Sequence, residues 1–156
     1  MPSCPPPFES RAWLLDGNTK SMPGVLHWDG QQVQFVACGP GKFTESEVRN
    51  MADKWGCPEG TAEGILKETA SPLITVFAHE ISGYKMPWYY LKGGIQIVLR
   101  GRTYKFSFIR PQNTVEPTYY LEDQYRWAGG AGQEDVDVLG GKAAGQQWKA
   151  LLDSIL

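Results

Sequence analysis

The stretch GGIQIVLRGRTYKFSFIRP, residues 93–111, contains four basic residues and no acid. Gly101-Arg102 suits a two-residue hairpin turn, because glycine accepts a positive φ at the first central position without a Cβ clash. That turn pairs Arg100 with Thr103, Leu99 with Tyr104, Ile97 with Phe106 and Ile95 with Phe108. The last three pairs set an aliphatic side chain against a ring on one face, and such pairs contribute about 0.2–1 kcal/mol each to a ladder. Gln96, Val98, Lys105 and Ser107 take the other face. The expectation is a two-stranded ribbon with Ile95, Ile97, Leu99, Tyr104, Phe106 and Phe108 facing the core, and a cationic tip made by Arg100, Arg102 and Lys105.

Working outward, the same reading applies to GVLHWDGQQVQFVA (24–37). Asp29-Gly30 is a tight-turn signal, which sets Trp28 opposite Gln31, Leu26 opposite Val33 and Gly24 opposite Phe35. Leu26, Trp28, Val33 and Phe35 then share the core side, with His27 outside. A strand is expected before this hairpin at Arg11–Leu15. FTESEVRNMADKWG (43–56) is a helix by three criteria. Thr44 and Glu47 make a capping box, Phe43 and Val48 occupy the positions of a hydrophobic staple, and Val48, Met51, Ala52 and Trp55 form an apolar stripe ended by Gly56. PLITVFAHEISGYK (72–85) reads as a strand, being rich in β-branched and aromatic residues. The stretch before it, GTAEGILKETAS, fits either a short helix or a strand. Residues 112–141 read as loop, with WAGGAGQED and Gly140-Gly141 as breakers. A final helix carries the stripe Ala144, Trp148, Leu151, Leu152 and Ile155.

The chain of 156 residues, 42% hydrophobic and 21% charged, fits one globular domain. Its organisation is a proline-rich extended arm over residues 1–10 and a single domain over 11–156. A net charge of −2 supplies no field that would collect nucleic acid. No apolar run approaches the roughly 18 residues of a membrane span, and MPSCPPPFES lacks the basic start and apolar centre of a secretory signal. Cys4, Cys38 and Cys57 are odd in number and show no C-x-x-C pair, so reduced thiols and a cytoplasmic setting are expected.

Hairpins of short strands, one inserted helix, further antiparallel strands and a closing amphipathic helix with a tryptophan together resemble the pleckstrin-homology (PH) superfold. Within it, the chain is similar to GRAM-like and bacterial PH-like domains. The residues that carry the likeness are GVLHWDGQQVQFVA, ITVFAHEISGYKMPW leading into GGIQIVLRGRTYKFSF, and the closing QQWKALL. The resemblance implies a mainly β, α+β fold: a curved antiparallel sandwich or partly open barrel capped by the C-terminal helix, here with an extra helix at Thr44–Trp55. It also implies a ligand loop between the first two strands with a K…R-x-R pattern. DGNTKSMPG offers Lys20 alone there, so the phosphoinositide site does not carry over.

Catalytic signatures are sparse. The two histidines, His27 and His79, fit no nucleophile elbow, metalloprotease or phosphate-loop motif, and a Cys38–His79 pair is the one conceivable nucleophilic arrangement. The cysteines lack zinc-ligand spacing. No cofactor and no metal are expected, and the chain reads as a non-enzyme. Charge is more informative. Residues 81–115 hold six basic side chains and no acid, whereas residues 116–140 hold six acids and one arginine. The candidate binding surface is therefore Lys85, Lys92, Arg100, Arg102 and Lys105, with Trp88, Tyr89 and Tyr90 as interfacial aromatics nearby in sequence. The function expected is a cytoplasmic interaction module whose target is a protein partner or an anionic lipid face, the latter placing it peripherally at a membrane. The alternatives are internal neutralisation by the acidic stretch and a small-ligand carrier or enzyme with a cavity in the barrel.

Overall fold

The computed structural model describes residues 6–17, 20–86, 93–99, 101–111 and 133–156, with backbone alone over 133–139. The strands are β1 (Phe8–Asp16), β2 (Lys20–Trp28), β3 (Gln32–Ala37), β4 (Ser71–Phe77), β5 (Ile81–Lys85), β6 (Gly94–Leu99) and β7 (Arg102–Ser107). They make one antiparallel sheet in the order β4-β3-β2-β1-β7-β6-β5, curled into a half-barrel. Helices α1 (Glu45–Lys54) and α2 (Thr61–Leu66) are inserted between β3 and β4, and α3 (Gln133–Ile155) ends the chain. β1 starts at Phe8, so the last residues read as an arm belong to the sheet.

Both hairpins fold with the expected faces but with the register moved by two residues. In the first, Trp28 pairs with Val33 and Leu26 with Phe35. The Asp29 carboxylate accepts from the amides of Gln31 and Gln32 at 2.8 and 2.9 Å, and this local turn draws both glutamines out of the predicted pairing. In the second, Leu99 pairs with Arg102, Ile97 with Tyr104 and Ile95 with Phe106, with Gly101 at φ +80° as the second of the two turn residues rather than the first. A shift of two preserves which face each side chain takes. Leu26, Trp28, Val33, Phe35, Ile95, Ile97, Leu99, Phe106 and Phe108 are all buried, and Tyr104 packs against the core from its edge.

The run read as one strand over 72–85 is two. Ala78–Glu80 form a single 3-10 turn between β4 and β5. Glu80 accepts from the Phe77 amide at 3.0 Å, which fixes the corner. The break carries no glycine or proline to mark it, since the corner reads Ala-His-Glu between two stretches rich in β-branched and aromatic residues. A register shift between Phe35 and Val36 also drops Leu73 from the β3–β4 ladder.

The insert closes one end of the half-barrel. The capping box forms as expected, with Glu47 N–H donating to Thr44 Oγ1 at 3.2 Å and Thr44 N–H to Glu47 Oε1 at 3.0 Å. Phe43, Val48 and Ala52 are buried, and the Trp55 ring meets Tyr104 edge-on at 5.3 Å. The insert holds two helices rather than one, since GTAEGILKETAS resolves as α2 with Ile65 buried.

The other end is closed by α3. Trp148 is 0% exposed, 5.2 Å from the Phe8 ring and 6.4 Å from that of Phe108, and its indole N–H donates to Ser10 Oγ at 2.8 Å. Helix α3 begins at Gln133, so Gly140-Gly141 is not a breaker but a point of close approach. A Cβ at Gly141 would sit 2.7 Å from the Phe108 carbonyl oxygen and 2.5 Å from Ile109 Cγ1, whereas a Cβ at Gly140 would meet nothing within 4 Å. Gly141, Gly145, Trp148, Leu151 and Leu152 are the buried positions of this stripe.

Two outcomes test this packing. Trp148→Ala should destabilise by about 3–5 kcal/mol, the range for truncating a buried large aromatic, read as a midpoint shift in urea. Adjacent alanine substitutions should act with opposite signs: Gly140→Ala should stabilise by up to about 1 kcal/mol through helix propensity, and Gly141→Ala should cost about 1–3 kcal/mol by overpacking. Equal effects from the two alanines would contradict the docking of α3.

Candidate functional site

Cross-strand partners share a face of the sheet, and the observed register therefore redistributes the basic residues. Lys85 pairs with Gln96, Gln96 with Lys105, and Lys105 with Leu15. Lys85 and Lys105 thus lie in one row on the outer face, two strands or roughly 10 Å apart. Arg102 pairs with Leu99 and shares the parity of Tyr104, the inner side of the hairpin end. The predicted tip cluster is corrected on this point, since Arg102 and Lys105 take opposite faces. All three side chains are exposed, and among the described residues none has an acid within ion-pair distance. Arg100, Lys92, Trp88, Tyr89 and Tyr90 lie outside the described residues, as do the side chains of the acidic stretch 116–137.

Lys20, the single lysine of the β1–β2 connection, is paired with Glu47 of α1. That contact commits its charge to holding the insert. His27 Nδ1 is 3.5 Å from Glu9 Oε2, and the His79 ring stacks on Phe77 at 5.7 Å. Cys38 donates its thiol to the Val36 carbonyl and Cys57 to that of Leu73, at 3.7 and 3.3 Å; burial pushes the Cys57 thiol up in pKa. Among the described residues no group of three or more His, Cys, Asp or Glu side chains is placed to hold a metal ion. No helix among them is long and apolar enough to cross a membrane.

Two features were not expected from the sequence. The first is a surface network joining α3 to edge strand β5. The Tyr84 hydroxyl donates to one oxygen of Asp153, and Lys149 Nζ donates to the other at 2.7 Å. Lys149 first, then Tyr84, holds the Asp153 carboxyl below its ordinary range, and the same hydrogen bond raises the Tyr84 phenol. The i, i+4 spacing of Lys149 and Asp153 is legible in sequence; the tyrosine partner is not. The second is a cleft of ≈ 540 Å³ outside the barrel, lined by residues 55–61 and 70–73 with Thr75. The glycines and proline of WGCPEG mark only a turn, and the cleft arises from where that turn lands.

Set against protein-family models, curated proteins and solved structures, the chain matches none.

The Asp153 network has a signed pH dependence. Because the fold lowers the Asp153 pKa, its contribution is present above the carboxylate range, about pH 4, and is lost as pH falls through it. The raised Tyr84 pKa puts the opposite limb in alkali: that contribution is present below about pH 10 and lost above. Thermal melts at low ionic strength should show a shallower acid decline for Asp153→Asn and a shallower alkaline decline for Tyr84→Phe than for the parent. Parallel curves would mean that the network does not link α3 to β5 in solution.

Proposed function

We propose that the chain is a non-catalytic, PH-like interaction module of the GRAM-like or bacterial kind, working in the cytoplasm and docking an anionic surface through the outer face of β5, β6 and β7. The observation that carries this reading is the row Lys85–Gln96–Lys105, with two exposed ammonium groups and no described counter-charge. A basic group close to an anionic membrane contributes about 1 kcal/mol. Lys92, Arg100 and Arg110 add to the same acid-free segment of sequence. Trp88, Tyr89 and Tyr90, in the sequence between β5 and β6, are the residue types that anchor at a lipid headgroup layer. They favour a membrane face over an acidic protein.

The PH-like assignment is supported by the curled seven-stranded antiparallel sheet and by the C-terminal helix that seats Trp148 in its open end. The non-catalytic reading is supported by the site chemistry. Both described thiols donate to main-chain carbonyls, one histidine faces a glutamate, and the other stacks on a phenyl ring. A carrier with a cavity in the barrel would need an open interior, and here Trp28, Phe35, Phe106 and Trp148 occupy it.

The double variant Lys85→Glu, Lys105→Glu separates the outcomes. Co-sedimentation with phosphatidylserine-containing vesicles at low salt should fall at least about tenfold, as expected when two groups near 1 kcal/mol each are reversed, with the fold retained by circular dichroism. Loss of stability instead would show that the acidic stretch neutralises this face internally. Parent protein that ignores anionic vesicles at low salt would refute the membrane reading and leave an acidic protein as the partner to test.

A further inference from the structure

We infer that the cleft beside β4 is a second docking site, which takes an extended segment of a partner protein as an added strand with a basic side chain at the rim. The inference is independent of the basic row, which lies on different strands.

The argument starts from the ladder. β4 has β3 as its one neighbour and ends the sheet. The Ala78 amide donates to the Gln31 carbonyl at 3.1 Å, which makes residues 31 and 78 a hydrogen-bonded pair in the register that sets Gln32 opposite Phe77 and Val33 opposite Val76. Bonded and non-bonded pairs alternate in an antiparallel ladder. Val76 and Ile74 therefore bond to β3, and the main-chain groups of Leu73, Thr75 and Phe77 point off the edge. Two other contacts agree with this phase. The Leu73 carbonyl accepts the Cys57 thiol at 3.3 Å, and the Phe77 amide donates to Glu80 at 3.0 Å. The edge is thus capped on either side of Thr75 by groups of the chain itself. Thr75 keeps an outward N–H and C=O with no partner among the described residues, while its hydroxyl accepts from Gln34 at 3.1 Å.

That open pair sits on the wall of the ≈ 540 Å³ cleft. One exposed backbone donor and acceptor beside a pocket is what strand addition uses: main-chain bonds for affinity and a pocket for a side chain. Trp55, half-buried and in edge contact with Tyr104, also lines the cleft, and an aromatic ring there can attract a cation. Charge completes the fit. Glu59 lines the cleft, and Asp53, Glu59 and Glu63 are exposed without an ion pair to any described residue. A basic extended peptide is complementary to this rim, and an acidic one is repelled by it. Pro72 and the bulge at Leu73 blunt the first half of the edge and the Glu80 cap on the Phe77 amide closes its far end, as natural edges are blunted against indiscriminate pairing; Thr75 lies between these devices.

The geometry supplies its own test. Because the Thr75 amide points away from β3, Thr75→Pro removes the docking donor without removing a ladder bond, and proline is tolerated at such edge positions. The probe is a display library of random linear peptides selected on the full chain. Enriched sequences are expected to carry Lys or Arg among alternating apolar residues. Their binding should weaken roughly tenfold in Thr75→Pro, the loss of one or two main-chain hydrogen bonds, and also in Glu59→Lys and in Ala70→Trp, which fills the cleft. Binding should be unchanged in Lys85→Glu, Lys105→Glu. If Thr75→Pro fails to fold, the two exposed substitutions carry the test. Absence of any enriched peptide, acidic enriched peptides, or peptides that bind all three cleft variants as well as the parent would overturn the inference; dependence on Lys85 and Lys105 would assign the peptides to the basic row instead and overturn it equally.

Discussion

The shape of this protein follows from one short connection. β4 and β5 are the two ends of the sheet order, yet only Ala78–Glu80 separate them in sequence. In a flat sheet they would stand six strand spacings apart, roughly 29 Å at about 4.8 Å each. The chain from Phe77 to Ile81 spans at most about 14 Å when fully extended. The sheet has to curl until its two edges approach at that corner. Everything else answers to the curl: the inner faces converge on one core, and the two open ends of the half-barrel each need a lid.

The lids are chemically different. The insert is held by a capped helix, by Val48 and Phe43 in the core and by the Lys20–Glu47 pair at the β1–β2 end. The C-terminal helix is held by shape, with Gly141 letting its backbone ride on the end of β7 and Trp148 filling the opening beyond. This division bears on function. Lys20, the single lysine of the β1–β2 connection, serves as a tether for the insert, and the exposed ammonium groups of Lys85 and Lys105 lie instead on the outer rows of β5 and β7.

Much of this was legible in the sequence, and the failures share a physical cause. Face assignments such as Leu26–Trp28–Val33–Phe35 and Ile95–Ile97–Leu99 survive because burial repeats every two residues, and a register error of two leaves that repeat intact. The register itself depended on Asp29 accepting two amides and on which turn position Gly101 takes, neither of which hydrophobic pattern reports. The capping box of α1 is local in sequence and was readable outright. The corner at Ala78–Glu80 carries no glycine or proline, and His79 and Glu80 read as outward-facing strand residues, so no turn residue marks it. Gly140-Gly141 looked like a breaker because glycine's two uses, ending a helix and letting one approach closely, are identical in sequence and differ only in what lies opposite. The basic row Lys85–Gln96–Lys105 needed two strand pairings, and the cleft needed the landing site of a turn; features assembled across strands become visible only when the topology is known.

The hydrogen bond between Trp148 and Ser10 joins residues 138 positions apart, and β1 lies in the middle of the sheet between β2 and β7. On a ribosome, the first strand would therefore emerge, pair with β2 and then wait with its other side open until Arg102–Ser107 and finally α3 were made. The early hairpins and the insert are local and can form fast; closure is governed by loop entropy over nearly the whole chain, which slows folding in proteins dominated by such distant contacts. During that interval the inner faces of β1 to β4 are uncovered. The same half-barrel that is tightly filled when complete is, for the duration of its synthesis, an open apolar trough.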